Sequence, residues 1–264
     1  MKLSILMAAY NEDETLEAAV NAVLSTSYPC DFELIIVDDG SVDKTPRILS
    51  RLADPRVRRH CHSCNLGKGA ALLTASALAA GTHVLPFDAD LEYSPHDIPR
   101  LLEPVLQGRA DVVYGSRLCG LNTMYQSYRY ALGNKLTTLA ANILFDAHLA
   151  DLHTCLKLVP LHLFRSLRLA SDGFGLDTEL TARLLRLGVR PFEVPVTYHS
   201  RSRAEGKKIA WQDGMDCLVT LAKVRMSPRS RSLVAGARLG AACGASDLDE
   251  SRSSGRGVRA DGQL

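Results

Sequence analysis

The segment FELIIVDDGS, residues 32–41, joins a run of apolar and β-branched residues to an abrupt acidic end. A short apolar run closed by a turn signal is typical of a strand buried on both faces of a parallel sheet. The pattern occurs twice more, where LSILMAA (3–9) runs into YNEDE and HVLPF (83–87) runs into DAD. We therefore predict three buried strands, each ending in polar or acidic residues.

Helical segments alternate with these strands. Helices are predicted from about Thr15 to Ser25, with Asn11 as an N-cap, and from about Thr45 to Leu52, and an Ala/Leu-rich helix opens at NLGKG (65–69). This alternation predicts an α/β fold with a Rossmann-like, mostly parallel central sheet flanked by helices. Ligands bind such sheets beyond the carboxyl ends of the strands, so the polar strand ends are expected to line one crevice.

The second half of the chain is less regular. A second region begins after DVVYGSR (111–117), and in it we predict an amphipathic helical stretch at 121–150, a helix at 176–187 and an edge strand at 191–198. One face of the helical stretch carries Leu132, Leu136, Leu139, Ala140, Ile143 and Leu144. From Ser227 onward Ser, Gly, Ala and Arg dominate without an aromatic residue, so we predict a domain at 1–226 and a disordered tail at 227–264.

Composition excludes several classes of protein. The net charge of +2 on 264 residues is far below the basic excess of a dedicated nucleic-acid binder. No stretch reaches the roughly 18 apolar residues of a spanning helix, and the N-terminus lacks a signal-peptide pattern. Seven cysteines, an odd number, indicate reduced thiols. We expect a cytoplasmic protein, with any membrane contact made peripherally from the cytoplasmic face.

Asp88-Ala89-Asp90 is the strongest local signal. Two carboxylates at the mouth of a strand can approach one divalent cation, and hard oxygen ligands suit Mg²⁺ or Mn²⁺, which share their shell with substrate phosphates. Such an ion acts as a Lewis acid on a leaving diphosphate. A solvated turn is the alternative.

Other clusters each have a structural alternative. Asp39 can accept hydrogen bonds from a base or ribose, or cap a turn. Tyr10 and Glu12 can bind a nucleobase, or belong to a helix start. The NLGKG segment lacks P-loop spacing, yet its helix N-terminus and Lys68 can attract phosphate unless that helix start is closely packed. The basic segment 201–208 can close over a diphosphate or form a solvated face.

A zinc site is disfavoured. HCHSC (60–64) contains zinc-ligand residue types, but adjacent ligands cannot readily form a tetrahedral shell and no second pair of ligands exists in the sequence.

In order along the chain the motifs are AAYNE (8–12), IIVDDGS (35–41), NLGKGAAL (65–72), DADLEY (88–93), DVVYGSR (111–117), DLHTCLK (151–157), GFGLDTEL (173–180) and EVPVTYHSRSRAEGKKIAWQDG (193–214). This series resembles glycosyltransferase family 2 with its GT-A fold, and in particular the polyprenol and dolichol phosphate mannosyl- and glucosyltransferases. Departures occur at Ala8, where many members have proline, at Glu92, where glutamine is frequent, and at Leu156, where an aromatic residue is frequent.

The resemblance implies a nucleotide-sugar donor and assigns roles by position. Metal and diphosphate binding fall to Asp88 and Asp90, and the nucleotide-sugar is contacted by Ala8, Tyr10, Glu12, Val37, Asp39, Lys68, Ala89, Lys207 and Lys208. Catalytic contacts to the sugar-diphosphate fall to Arg117 and Arg201. The helical region at about 118–150 lies on the acceptor side, where Arg117, Arg129 and Asp177 contact the acceptor.

The resemblance further implies inversion by a single displacement onto a polyprenyl phosphate. A phosphate acceptor is already anionic near neutral pH and needs cationic partners rather than a general base. Three alternatives stay open: a saccharide or small-molecule hydroxyl acceptor served by Asp177 or Glu179 as base, nucleotidyl transfer, and a non-catalytic nucleotide-sugar-binding module. A separate membrane subunit is a further possible partner.

Overall fold

The computed structural model describes residues 1–118, 123–124, 128–173, 175–200 and 211–227, within a compact unit that spans Met1–Ser227. The strands are β1 (Lys2–Ala9), β2 (Asp31–Asp38), β3 (Val57–Cys61), β4 (His83–Pro86), β5 (Val113–Ser116), β6 (Thr123–Met124), β7 (Lys157–Pro160), β8 (Phe192–Pro195) and β9 (Tyr198–His199). The helices are α1 (Leu16–Ser25), α2 (Thr45–Arg51), α3 (Lys68–Leu78), α4 (Ile98–Leu106), α5 (Tyr128–Phe145), α6 (Leu161–Ser166), α7 (Gly175–Arg186) and α8 (Trp211–Met226), with a 3₁₀ turn at Pro95–Asp97.

Seven strands form one sheet in the order β3-β2-β1-β4-β7-β5-β8. The pairs among β1, β2, β3 and β4 are parallel, as is β5 with β8, whereas β7 runs antiparallel to both β4 and β5. The predicted α/β fold with a mostly parallel sheet is confirmed, and the reversed β7 is an addition to it. The two short strands β6 and β9 pair separately.

Helices cover both faces of the sheet, and β1 and β2 are apolar at most positions that face them; the exceptions Ser4 and Glu33 are buried and hydrogen-bonded to each other. On one face Leu3, Ile5 and Met7 pack with residues of α1 and α4. On the other face Leu6 packs with Val37 and with residues of α3, α6 and α7. This alternation is the period of two expected of a strand buried on both sides.

Three predicted elements differ in detail. The helix start placed at Asn11 is wrong: α1 begins at Leu16, and Asn11 adopts φ +52° while its Oδ1 accepts a hydrogen bond from the Val42 amide. The Asn11 side chain therefore binds the loop after β2 and does not cap α1. The predicted helical stretch at 121–150 narrows to α5, and the edge strand predicted at 191–198 divides into β8 and β9.

Helix α5 turns its apolar stripe outward. Leu132, Leu136, Leu139 and Ile143 are exposed, whereas the opposite side of the helix, through Ala141 and Phe145, packs in a small core with α7 and α8. In the described part of the chain, no helix has both the length and the apolar character needed to cross a bilayer. The disordered tail was predicted at 227–264, and residues 228–264 lie outside the described residues.

Candidate functional site

The carboxyl ends of three neighbouring parallel strands meet at one edge of the sheet. Strand β1 leads into Tyr10, β2 ends at Asp38 beside Asp39, and β4 leads through Phe87 to Asp88. The Asp39 amide donates to the Ala9 carbonyl at 2.8 Å, and the loops after β1 and β2 are therefore joined at this edge. The polar strand ends that were predicted to share one crevice thus lie on three adjacent strands of the sheet.

Asp88 is paired with Lys68. Lys68 Nζ lies 2.7 Å from Asp88 Oδ1, and both side chains are about one-fifth exposed. Burial alone would lower the pKa of the Lys68 ammonium, but the charges of Asp88 and Asp177 hold that pKa well above its usual value. The α3 lysine and the β4 aspartate thus form a charged pair at the mouth of the crevice.

Asp90 lies in a tight turn. Its Oδ1 accepts the Glu92 amide at 3.1 Å, and Leu91 between them has φ +61°, a conformation that is uncommon for a residue with a branched side chain. Ala89 is buried beneath this turn. Glu92 in turn accepts the Tyr198 hydroxyl at 2.6 Å, which ties the turn to β9.

The donor set fits a hard divalent cation. Asp88 already binds the positive charge of Lys68, and Asp90 presents a second carboxylate two positions away. Across the described residues, no group of three or more His, Cys, Asp or Glu side chains is arranged to hold a metal. A cation here would therefore need oxygens from water or substrate phosphate, the usual arrangement for Mg²⁺ at phosphate-transfer sites.

Asp39 is buried and organises the start of α3. Its carboxylate accepts the Leu66 amide at 3.0 Å and the Gly67 amide at 2.8 Å, and it contacts His62 Nδ1 at 2.7 Å. His62 Nε2 lies 3.0 Å from Thr74 Oγ1. Asp39 therefore positions the segment that carries Lys68, a role that the sequence did not reveal because the partner His62 lies on a different strand end.

The N-terminus of α3 is closely packed. The Ala70 amide donates to the Asp172 carbonyl at 3.0 Å. A Cβ at Gly67 would lie 2.4 Å from the Asp172 carbonyl oxygen, and one at Gly69 would lie 2.2 Å from the Ser171 carbonyl oxygen. This segment is therefore the closely packed helix start that the sequence left as one alternative. The group that it can present to an anion is the side chain of Lys68.

The loop after β1 is held from the side of β2. The Glu12 amide donates to Thr45 Oγ1 at 3.0 Å, and Glu12 Oε2 accepts the Thr15 hydroxyl at 2.9 Å. Tyr10 and Ala8 are half-buried at the crevice, whereas Val37 has no exposed surface and packs against α3.

Arg117 forms a buried bidentate pair with Asp151. The Nε–Oδ2 distance is 2.7 Å and the second nitrogen lies 2.8 Å from Oδ1, while Asn134 of α5 donates to the same carboxylate. The guanidinium also lies 4.9 Å from the centre of the Tyr198 ring. Burial opposes ionisation of Asp151, but Arg117 holds the pKa of that carboxyl far below its usual range. Asp151 belongs to the motif DLHTCLK, but nothing in the sequence indicated that it pairs with Arg117.

Asp177 and Glu179 are both engaged. Lys157, fully buried, lies with Nζ 3.5 Å from Asp177 Oδ1 and donates to the Asp177 carbonyl at 2.7 Å. Glu179 accepts the amides of residues 170 and 171 and the Arg183 guanidinium. Burial opposes ionisation of Glu179, yet these hydrogen bonds lower the pKa of its carboxyl.

The remaining candidates divide into two groups. In segment 60–64, where a zinc site was disfavoured, His60, Cys61 and Cys64 are exposed and His62 is hydrogen-bonded to Asp39. Arg201, Lys207 and Lys208 lie outside the described residues, and so does the side chain of Arg129.

Comparison with known proteins gives a consistent result. Residues 4–165 match the family described as Glycosyl transferase family 2. The Haloferax volcanii glycosyltransferase AglD is 30% identical over 210 residues, which make up 76% of this chain and 34% of AglD. AglJ of the same organism is 27% identical over 198 residues, 75% of this chain and 63% of AglJ. The chain thus spans less than two thirds of the length of these relatives.

Solved structures share the fold. Glucosyl-3-phosphoglycerate synthase from Mycobacterium tuberculosis in complex with phosphoglyceric acid has a TM-score of 0.66 at 21% identity, covering 87% of this chain and 81% of the synthase. The same synthase with Mn²⁺, UDP-glucose and phosphoglyceric acid gives 0.64 at 22% identity and the same coverage. At these identities the likeness establishes a common fold.

Proposed function

Since this chain belongs to glycosyl transferase family 2 and has the GT-A fold, we propose that it transfers a hexose from a nucleotide-diphosphate sugar to a polyprenyl phosphate. The observation that carries the proposal is the charged pair of Asp88 and Lys68 beside Asp90, at the strand edge where α/β folds bind nucleotides.

Asp88 and Asp90 would hold a Mg²⁺ or Mn²⁺ ion, as carboxylates do at phosphate-transfer sites, and such an ion would neutralise charge on the leaving diphosphate. The synthase with the same fold binds Mn²⁺ with UDP-glucose, which supports this assignment. Lys68, held by its helix start at the crevice, would donate to the diphosphate oxygens. Tyr10 and Glu12 would line the nucleotide, with Ala8 and Asp39 behind them.

Transfer would occur by a single displacement. The bond from the anomeric carbon to the diphosphate breaks with the electron pair leaving on the nucleoside diphosphate, while an oxygen of the lipid phosphate bonds to the opposite side of that carbon. The acceptor's charge would be offset by Arg129, Arg201 and the lysines at 207 and 208, while Arg117, whose guanidinium is paired with Asp151, would support that side of the crevice. Positioning and charge complementarity then supply the catalysis.

Both carboxylates predicted as bases for a hydroxyl acceptor are engaged by other groups. Asp177 is paired with the buried Lys157, and Glu179 is held ionised by two amides and Arg183. A hydroxyl acceptor needs a carboxylate or imidazole in reach of its proton. A phosphate acceptor needs none, and this favours polyprenyl phosphate over the saccharide or small-molecule hydroxyl.

The test uses radiolabelled UDP- and GDP-hexoses with polyprenyl phosphate and Mn²⁺. We expect label in the organic phase, and Asp90→Asn should lower the rate at least about a hundredfold by removing charge stabilisation of the leaving group. Asp54→Asn changes a partly exposed, ion-paired aspartate before β3; it is the matched control and should keep the rate.

Other outcomes select the alternatives. Label confined to the aqueous phase would support a hydroxyl acceptor, and release of pyrophosphate would support nucleotidyl transfer. Full biological activity of Asp90→Asn would support a binding module and overturn the proposal.

A further inference from the structure

Two neighbouring helices expose apolar stripes on the outer side of the molecule. On α5 the stripe consists of Leu132, Leu136, Leu139 and Ile143, of which Ile143 is 72% exposed. On α8 it consists of Met215, Leu218, Val219 and Met226. We call these eight residues the α5–α8 apolar face. Single exposed apolar residues are ordinary, but contiguous stripes on a folded domain mark an interaction surface.

The stripes follow from helical periodicity. Spacings of three and four residues place Leu132, Leu136, Leu139 and Ile143 on one side of α5, opposite the buried Ala141. In α8 the same spacings place the stripe opposite the buried Cys217 and Val224. The two helices are joined across their shared core, where Arg225 Nε donates to the Leu144 carbonyl at 2.9 Å. Packing within the domain is therefore already satisfied on the inner sides.

The charges that flank the stripes are mostly basic. From Tyr128 to Phe145 the sequence has two basic residues and no acidic one, and Lys135 is exposed beside the stripe. The α8 sequence contains two basic residues, Lys223 and Arg225, and two acidic ones, Asp213 and Asp216, so the two helices together carry four basic and two acidic residues. An exposed apolar helix surface with a mostly basic rim suits the interface of an anionic bilayer.

We propose that the α5–α8 apolar face docks on the surface of a bilayer that contains anionic lipids. A second copy of the chain is a poorer occupant, because a symmetric contact joins the same patch of two copies and would bring two predominantly basic rims together. Tyr128, 79% exposed at the start of α5, adds an aromatic ring of the kind enriched at membrane interfaces.

The docking face is linked to the candidate site. On its inner side α5 donates from Asn134 Nδ2 to Asp151, the partner of Arg117, at 3.0 Å. Thr138 of α5 accepts the Leu152 amide at 3.1 Å. Docking would therefore place the acceptor side of the crevice near the lipid surface. This link rests on the proposed function, whereas the docking itself does not.

Vesicle flotation of the full chain tests the proposal without donor or acceptor. We expect the protein to float with vesicles of phosphatidylcholine and phosphatidylglycerol and less with phosphatidylcholine alone. Leu136→Glu with Ile143→Glu should lower the partition coefficient at least about tenfold by removing apolar burial. Lys135→Gln with Lys223→Gln should lower it roughly tenfold on the anionic vesicles and have little effect on the neutral ones.

Leu106→Glu is the matched control, since Leu106 is an exposed leucine on α4, a helix packed on the other face of the sheet. It should float as the unchanged chain does, and circular dichroism and thermal unfolding verify folding of every variant. The proposal is overturned if the unchanged chain stays with the soluble fraction. It is also overturned if size-exclusion chromatography shows a dimer that the Leu136 and Ile143 substitutions dissociate.

Transfer assays then separate the two proposals. The Leu136→Glu and Ile143→Glu variant should still glycosylate a short, water-soluble prenyl phosphate but lose transfer to polyprenyl phosphate in vesicles. Flotation without any lipid transfer would refute the proposed acceptor and leave the docking face intact.

Discussion

At the scale of single residues, Lys68 competes with any cation that approaches Asp88. Its ammonium lies 2.7 Å from Asp88 Oδ1, so a divalent ion must displace or repel that charge. We expect Lys68→Met to tighten Mn²⁺ binding, measured by electron paramagnetic resonance without nucleotide, by about tenfold. Lys2→Met, which removes an ion-paired lysine from the opposite edge of the sheet, should leave the affinity unchanged. Equal or weaker binding by Lys68→Met would contradict the assignment of Asp88.

His153 gives the fold a pH dependence with a defined sign. Burial, followed by the charge of Lys157, lowers the pKa of this imidazole to about 4, and its Nε2 lies 2.7 Å from Thr137 Oγ1. The unfolded chain takes up the proton near pH 6.5, so stability is complete above that pH and is lost as the pH falls toward about 4. Because the ring is partly exposed, we expect a loss of about 2 kcal/mol.

Urea unfolding between about pH 7 and pH 5 measures this slope. His153→Gln keeps a hydrogen-bonding partner for Thr137 but has no proton to titrate, so its stability should vary less with pH than that of the unchanged chain. Parallel curves for the two proteins would show that His153 is not responsible.

The residues of the site were predicted in part. Asp39, Asp88 and Asp90 follow from a local rule, since acidic residues after buried parallel strands share one edge. The partners His62 of Asp39 and Asp151 of Arg117 are 23 and 34 residues away in the chain. Such pairs depend on how elements pack, and a single sequence carries no local signal for them.

At the scale of elements, the start of α3 depends on two glycines. Gly67 has φ +102°, and a Cβ there would lie 2.4 Å from the Asp172 carbonyl oxygen. Gly67→Ala should therefore destabilise the fold by more than 2 kcal/mol, roughly the sum of left-handed strain and steric overlap. Donor affinity should also fall, because Lys68 is the next residue.

Gly108 supplies the comparison. It also has a positive φ, +66°, but nothing lies within 4 Å of its Cβ position. Gly108→Ala should cost about 1 kcal/mol, from strain alone. Equal losses for the two variants in chemical denaturation would show that the contact with the 171–173 loop does not matter.

The elements themselves were largely predictable, and their exceptions have physical causes. Periodicity identified α1 and α3 because each buries one face against the sheet. It could not say that the apolar stripe of α5 faces outward, since an amphipathic pattern gives the stripe but not its partner. Nor could capping preferences foresee that Asn11 is used by the loop after β2.

At the scale of the whole molecule, the parallel core followed from the alternation of strands and helices. The reversed strand β7, between β4 and β5, did not. Its apolar run KLVP looks the same in either direction, and direction is fixed by the connections around it.

The complete fold responds to a ligand by mass action, which gives a prediction for the intact chain. A nucleotide-sugar at about 100 times its dissociation constant stabilises the folded state by about 2.7 kcal/mol, or roughly 5–10 °C in the unfolding midpoint for a domain of this size. We expect such a shift with one of the UDP- or GDP-sugars only when Mn²⁺ is present, because phosphates and carboxylates repel each other without a cation between them. Asp90→Asn should lose the Mn²⁺-dependent part of the shift, and Asp54→Asn should keep it. A shift of equal size with and without Mn²⁺ would place nucleotide binding away from the two carboxylates.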